Sequence, residues 1–180
     1  MQKGENDRMK TYDLEAVEYI AKLADGGLRD SLSLLDKCLA YSTELTLENV
    51  VKTLGTVNYS DMFALTGCFI SGSSHGDKDI INIIEDIHNA GKDIKQFVKQ
   101  YGHFLLDVQK YAIGCDWKYI NIPRLDTYEN WLSACNDDMF AILHKLMKVV
   151  IRLNSDIKYS NTPKLDLEAV LILFYNEVTK

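Results

Sequence analysis

Proline and glycine are scarce: this sequence holds two prolines and ten glycines in 180 residues. With so few helix breakers, and with Leu, Ile, Lys, Glu and Asp abundant, long helices are the expected elements. Excess positive charge is missing too. Twenty Lys and Arg stand against 26 Asp and Glu, a net charge of −6, so the chain lacks the basic footprint of a protein that coats DNA or RNA. No run approaches the roughly 18 apolar residues that span a bilayer. Met1–Lys10 is polar with no apolar core, so a secretory leader is not expected. The four cysteines, Cys38, Cys68, Cys115 and Cys135, include no pair at C-x-x-C spacing. No histidine stands beside them at zinc-ligand spacing, so buried reduced thiols of a cytosolic protein are expected.

A hydrophobic share of 47% and a charged share of 26% fit a folded chain of one larger domain or two small ones. Asp13 is a plausible cap for a first helix with Leu14, Val17, Ile20, Ala21 and Ala24 as its apolar stripe, stopped by Gly26-Gly27. A second helix starts at once, with Leu28, Leu32, Leu35 and Leu39 repeating at helical spacing. Thr46 can cap a third helix to Leu54, and Ser60 a fourth. The run from Ser71 to Gly76 reads as loop, Asp77–Ala90 as a fifth helix, and Asp93 as the cap of a sixth to about Ile113. After a looser stretch, Gly114–Pro123, helical pattern resumes near Leu125–Ala134. Asn136 caps a long helix, and Thr162-Pro163 opens the last one. The fold class predicted is all-α: two short helices, a junction near 41–56, then a larger bundle.

Enzyme constellations are sparse. There is no GxxxxGK[ST], GxGxxG or HExxH. His75, His88, His103 and His144 stand alone and read as surface or boundary residues. Asp137-Asp138 reads as a dipole partner at a helix start. The local pattern that carries mechanism is Ala24-Asp25-Gly26-Gly27-Leu28-Arg29-Asp30. It places an arginine in the first turn of a helix, where free N–H groups and a partial positive charge already favour an anion. The guanidinium adds a bidentate phosphate donor. The alternative is an ion pair of Arg29 with Asp25 or Asp36.

The segment Ile20–Lys37, with its Gly27-Leu28-Arg29-Asp30 turn, resembles the lid of the bacterial DNA polymerase III gamma/tau subunit, the motor of the clamp loader. Further matches follow in family order: Leu54-Gly55-Thr56-Val57, Gly91-Lys92-Asp93 before Gln96-Phe97, and Asn161–Glu168. The stretch from about Ile113 to Asn136 matches nothing in that pattern. Ser31 stands where the family usually has Ala, Lys37 where it often has Gln, and Lys164 where Arg is common. The resemblance implies a middle piece. Residues 1–53 would be a partial AAA+ lid, with Arg29 as the sensor 2 residue at the phosphates of ATP. Residues 54–180 would be the collar that joins subunits into a ring. It implies ATP and magnesium as cofactors of the intact subunit and none for this piece, which lacks the family's P-loop and would be inactive alone. It implies as partners other gamma/tau copies, delta and delta prime, and, through the whole assembly, the sliding clamp and primer–template DNA. No membrane is implied, and the location would be the bacterial cytoplasm. A delta prime or replication factor C–like subunit, and an unrelated helical adaptor, are the alternatives.

Overall fold

The computed structural model describes residues 11–24, 27–54, 59–71 and 76–179. The described residues are mostly helical, and the all-α class holds. The chain divides into two units. The first comprises residues 1–56 and 123–129, the second residues 57–122 and 130–180. The assignment of 123–129 to the first unit is not anticipated by a single division after residue 53.

The first unit begins with β1 (Thr11–Tyr12), which pairs in parallel with β2 (Glu44–Leu45). This two-residue pairing falls where the sequence reads as bare connection. Helices α1 (Leu14–Leu23), α2 (Leu28–Tyr41) and α3 (Leu47–Leu54) complete it. Its core gathers Ala16 and Ile20 of α1, Cys38 of α2, Leu45, and Leu47, Val50 and Leu54 of α3, with Leu125 packed against them.

Two predicted stripes differ here. On α1 the buried residues are Ala16 and Ile20, followed by Ala24, while Leu14 is 67% exposed and Val17 is also exposed. On α2 the buried residue is Cys38, with Leu34 and Leu35 partly covered, while Leu28 is 76% exposed and Leu32 is exposed. Periodicity finds the apolar side of a helix, but the neighbours decide which residues on it are covered. Asp13 precedes α1 as expected, yet its carboxylate does not cap that helix. It accepts from the Leu47 N–H at 3.4 Å. Thr46 does cap α3, accepting from the Asn49 N–H at 3.2 Å.

The second unit contains α4 (Tyr59–Ile70), α5 (Gly76–Asn89), α6 (Ile94–Ala112), the main part of α7 (Asp126–Ala134), α8 (Asp137–Asp156) and α9 (Pro163–Val178). Single 3₁₀ turns lie at Trp117–Tyr119 and Ile157–Tyr159. Ser60 falls inside α4 instead of capping it. Helix α5 opens at Gly76, one residue before the predicted Asp77. Glycine is needed at that point, because a Cβ there would lie 2.5 Å from the Tyr175 ring of α9. Asp93 caps α6 as read, accepting from the Lys95 and Gln96 N–H groups, and Asn136 caps α8 through Met139. Thr162 stands before α9 without a side-chain cap, and Pro163 takes its first position.

Helix α6 lies against α8, α4 against α5, and α9 against both α5 and α8. Phe97, Val98, Tyr101, Phe104, Leu105 and Val108 of α6 are buried, as are Leu143, Leu146, Val150 and Leu153 of α8. Phe63 packs edge-on to Phe104 at 4.8 Å and to Trp131 at 4.9 Å between ring centres. Tyr101 is fully buried, and its hydroxyl meets that of Thr66 at 3.0 Å. Burial pushes this phenol well above the ordinary tyrosine range.

Candidate functional site

Gly27 precedes α2 in extended conformation (φ −76°, ψ 110°) and supplies no side-chain cap. Its N–H donates to the Ala24 carbonyl at 2.8 Å, and its own carbonyl accepts from the Ser31 N–H at 2.9 Å. The N–H groups of the first turn, Leu28 to Asp30, therefore precede the first intrahelical bond. A Cβ at position 27 would come within 3.1 Å of both the Ala24 carbonyl and the Asp30 carboxylate. A side chain there would need these neighbours to give by a few tenths of an ångström.

Arg29 is exposed on that first turn. It makes no ion pair with Asp36 or with any other carboxylate among the described residues. Asp25, the other pairing partner considered, lies outside the described residues. The guanidinium thus adds to the helix dipole and is free to meet an anion. These groups fit one phosphate contact. The two neighbouring departures from the lid pattern are locally harmless. Ser31 donates back to the Gly27 carbonyl at 3.0 Å, and Lys37 is exposed.

In the other matched segments the described residues pack, cap or pair within the chain. Leu54 is buried, and Gly55–Val57 fall outside the described residues. Lys92 donates to Asp61 at 2.9 Å, Asp93 caps α6, and Phe97 is buried. Lys164 joins the start of α9 to Glu85 of α5 and lies 3.7 Å from Glu168. Its hydrogen bond holds the Glu85 carboxyl below the usual carboxylate range.

Sequence reasoning missed the anchor of the stretch after α6. Asp107 is 2% exposed. It accepts from Lys110 Nζ at 2.6 Å and from the Asn121 N–H at 2.9 Å, while Lys110 also donates to the Tyr119 carbonyl at 2.9 Å. Ile120 and Ile122 are buried beside it. The available signal was an acid on the apolar side of α6, next to Leu105 and Val108.

The remaining candidates stay apart. His88, His103 and His144 are exposed, and His75 lies outside the described residues. Asp137 and Asp138 are exposed at the start of α8. Cys38 and Cys68 are buried, Cys115 and Cys135 half-buried, and all four are unpaired by disulfide. Burial raises the Cys38, Cys68 and Cys135 thiols above their ordinary value, so they are held as thiols rather than thiolates. Gly72-Ser73-Ser74-His75-Gly76 has the spacing of a nucleophile elbow. Helix α4, not a strand, precedes it, so the strand–turn–helix setting of that motif is missing. Among the described residues no group of three or more His, Cys, Asp or Glu is placed to hold a metal ion, and no helix is long and apolar enough to cross a membrane.

The first unit is thus a small helical unit that sets Arg29, exposed and without an ion pair among the described residues, at the start of a helix. Residues 6–44 match the family described as DNA polymerase III clamp loader subunit, ATPase lid domain. Over most of its length the chain is similar to gamma and tau subunits of bacterial DNA polymerase III. It is 29% identical to subunit gamma/tau of Mycoplasma genitalium, a match covering 91% of this chain and 26% of that protein. It is 22% identical to subunit tau of Bacillus subtilis over 87% of this chain and 27% of the relative. Subunit gamma of Buchnera aphidicola is 24% identical over 100% of this chain and 48% of its own length. The chain therefore spans about a quarter of the length of two of these curated relatives and about half of the third.

Proposed function

We propose that this chain serves in clamp loading by a bacterial DNA polymerase III. In this reading residues 1–53 act as part of the lid and residues 54–180 as the collar. The observation that carries it is Arg29, exposed and free of carboxylate partners among the described residues, inside the segment that matches the lid family. The guanidinium would contact the γ-phosphate of ATP bound to an ATPase domain outside this chain. Nucleotide state would thereby be coupled to the orientation of the lid. ATP, with its magnesium, supplies the phosphoryl-transfer free energy; the residues here hold and sense, and do not cleave. The densely packed second unit would join neighbouring gamma/tau, delta and delta prime subunits. The sliding clamp and primed DNA would be reached through the whole assembly, in the bacterial cytoplasm.

The test is Arg29→Ala in the intact subunit. A charge-assisted hydrogen bond of this kind contributes about 1.5–3 kcal/mol, so clamp loading should slow by about tenfold or more. The melting temperature of this chain carrying the same substitution should stay unchanged. If the chain loses several degrees while loading is untouched, Arg29 is a structural residue and the sensor role is wrong.

A further inference from the structure

The ends of α6 and α8 in the second unit enclose an open groove of about 480 Å³. Its apolar lining comes from Ala112 and Ile113 at the end of α6 and from Phe140 and Ala141 on α8. Ile113 is 77% exposed, and beside Ala112, Phe140 and Ala141 it forms a contiguous apolar patch and not a single exposed side chain. Two of its lining residues tie the helices together: Gln109 of α6 donates to the Phe140 carbonyl of α8 at 3.2 Å.

Charge along the groove is ordered. Asp137 marks one end, and His144, Lys145 and Lys148 mark the other. These three are exposed, and neither lysine makes an ion pair with a described residue. Eleven helical positions separate Asp137 from Lys148, about 16 Å at 1.5 Å per residue. That length suits about ten residues of a docked helix. Two unpaired lysines on a chain of net charge −6 make a local exception that favours a negatively charged ligand.

We propose that this groove docks an acidic amphipathic helical segment of a partner protein. Its apolar side would lie on Ile113, Phe140 and Ala141, its carboxylates would face Lys145 and Lys148, and its less acidic end would lie toward Asp137. Charge would set the direction of docking, and the apolar lining would supply the buried area. A nucleic-acid strand is disfavoured, because the lining is largely apolar and Asp137 stands at the groove's end. The inference does not depend on the lid reading, since it concerns only α6 and α8.

The experiment uses this chain and a fluorescein-labelled peptide of leucine, alanine and glutamate, about ten residues long, with leucines at helical spacing. Fluorescence anisotropy should show saturable binding that weakens with added salt. Lys145→Glu with Lys148→Glu should lower the affinity by about tenfold, and so should Ile113→Glu, while Lys99→Glu elsewhere on α6 should leave it unchanged. All of these positions are exposed, so the variants should keep the circular dichroism of the parent chain. The proposal is overturned by absence of saturable binding, by equal binding of a version with lysine for glutamate, or by indifference to the groove variants. Stronger binding of a single-stranded oligonucleotide than of the peptide overturns it as well.

Discussion

In the second unit, α6 and α8 bury Phe97, Tyr101, Phe104, Leu105, Leu143, Leu146 and Val150 against each other and their neighbours. In the first, α1 and α2 bury Ala16, Ile20 and Cys38 but leave Leu14, Val17, Leu28 and Leu32 open. All four helices carry an apolar repeat at helical spacing, but α6 and α8 run 19 and 20 residues against 10 and 14 for α1 and α2. Beyond length, the difference lies in how many elements surround each helix. A helix with neighbours on two sides can cover a wide stripe, whereas α1 and α2 cover only the narrow side turned toward α3 and the short strand pair. Leu28 and Leu32 lie on the same helix as Arg29, next to it and one turn on, so the region that carries the candidate site is also the less completely packed one. Elements that respond to a ligand are drawn from the less stable parts of a fold.

The comparison can be broken by substitutions in each region. The largest effect is expected at Leu105, which is fully buried in α6. Leu105→Ala should cost about 3–4 kcal/mol through lost transfer energy and the cavity left behind. Urea unfolding followed through the second unit's tryptophans checks this, and a loss below 1 kcal/mol would mean that the unit is loosely packed.

Next comes Asp107. Its removal would leave Lys110 and the Asn121 N–H without their buried acceptor, at a cost of about 2–3 kcal/mol. Hydrogen exchange in Asp107→Ala should show residues 117–122 losing protection before α6 does. Uniform loss across both would mean that the aspartate supports the helix and not the turn.

A smaller, pH-dependent effect is expected from Glu85. Its carboxyl is held below the ordinary value by the hydrogen bond from Lys164. The contribution is therefore present above the unfolded-state value near 4.5 and is lost as pH falls through the lower folded value. The pair is on the surface, so salt should weaken it. Melting curves of Glu85→Gln and of the parent chain should converge as pH drops through that window. A difference that persists at the acid end would point to lost packing instead of lost charge.

The smallest effect is expected at Leu28 and Leu32. Changing either to Ser should alter unfolding free energy by no more than about 0.5 kcal/mol, because both are already in water. A larger loss would show that α2 covers more of the first unit than its exposure indicates.

Helix positions were legible because their signals are local. Asp93, Thr46 and Asn136 cap the helices they precede, and Pro163 opens the last one, since a cap needs only a side chain and the next turn. The Gly27-Leu28-Arg29-Asp30 turn was legible for the same reason: its glycine, its arginine and its helix start adjoin in sequence. The roles of Asp107, Gly76 and Lys164 were not. Each depends on a residue distant in the chain: Asn121 for Asp107, Tyr175 for Gly76, Glu85 for Lys164. The stripes of α1 and α2 were misread because an apolar repeat states which residues are able to be covered, and not which neighbours are there to cover them.

The sequence alone determined an all-helical chain, its caps and stops, and an arginine set at a helix start behind a double glycine, because each of these rests on interactions within one or two turns. Only the tertiary structure decided that Arg29 stands exposed, that Leu28 and Leu32 remain in water, that Asp107 holds residues 119–121, and that Ile113 shares a groove with Lys145 and Lys148. Those outcomes depend on which helices meet, and that is set by the summed burial of the whole core and not by any local pattern.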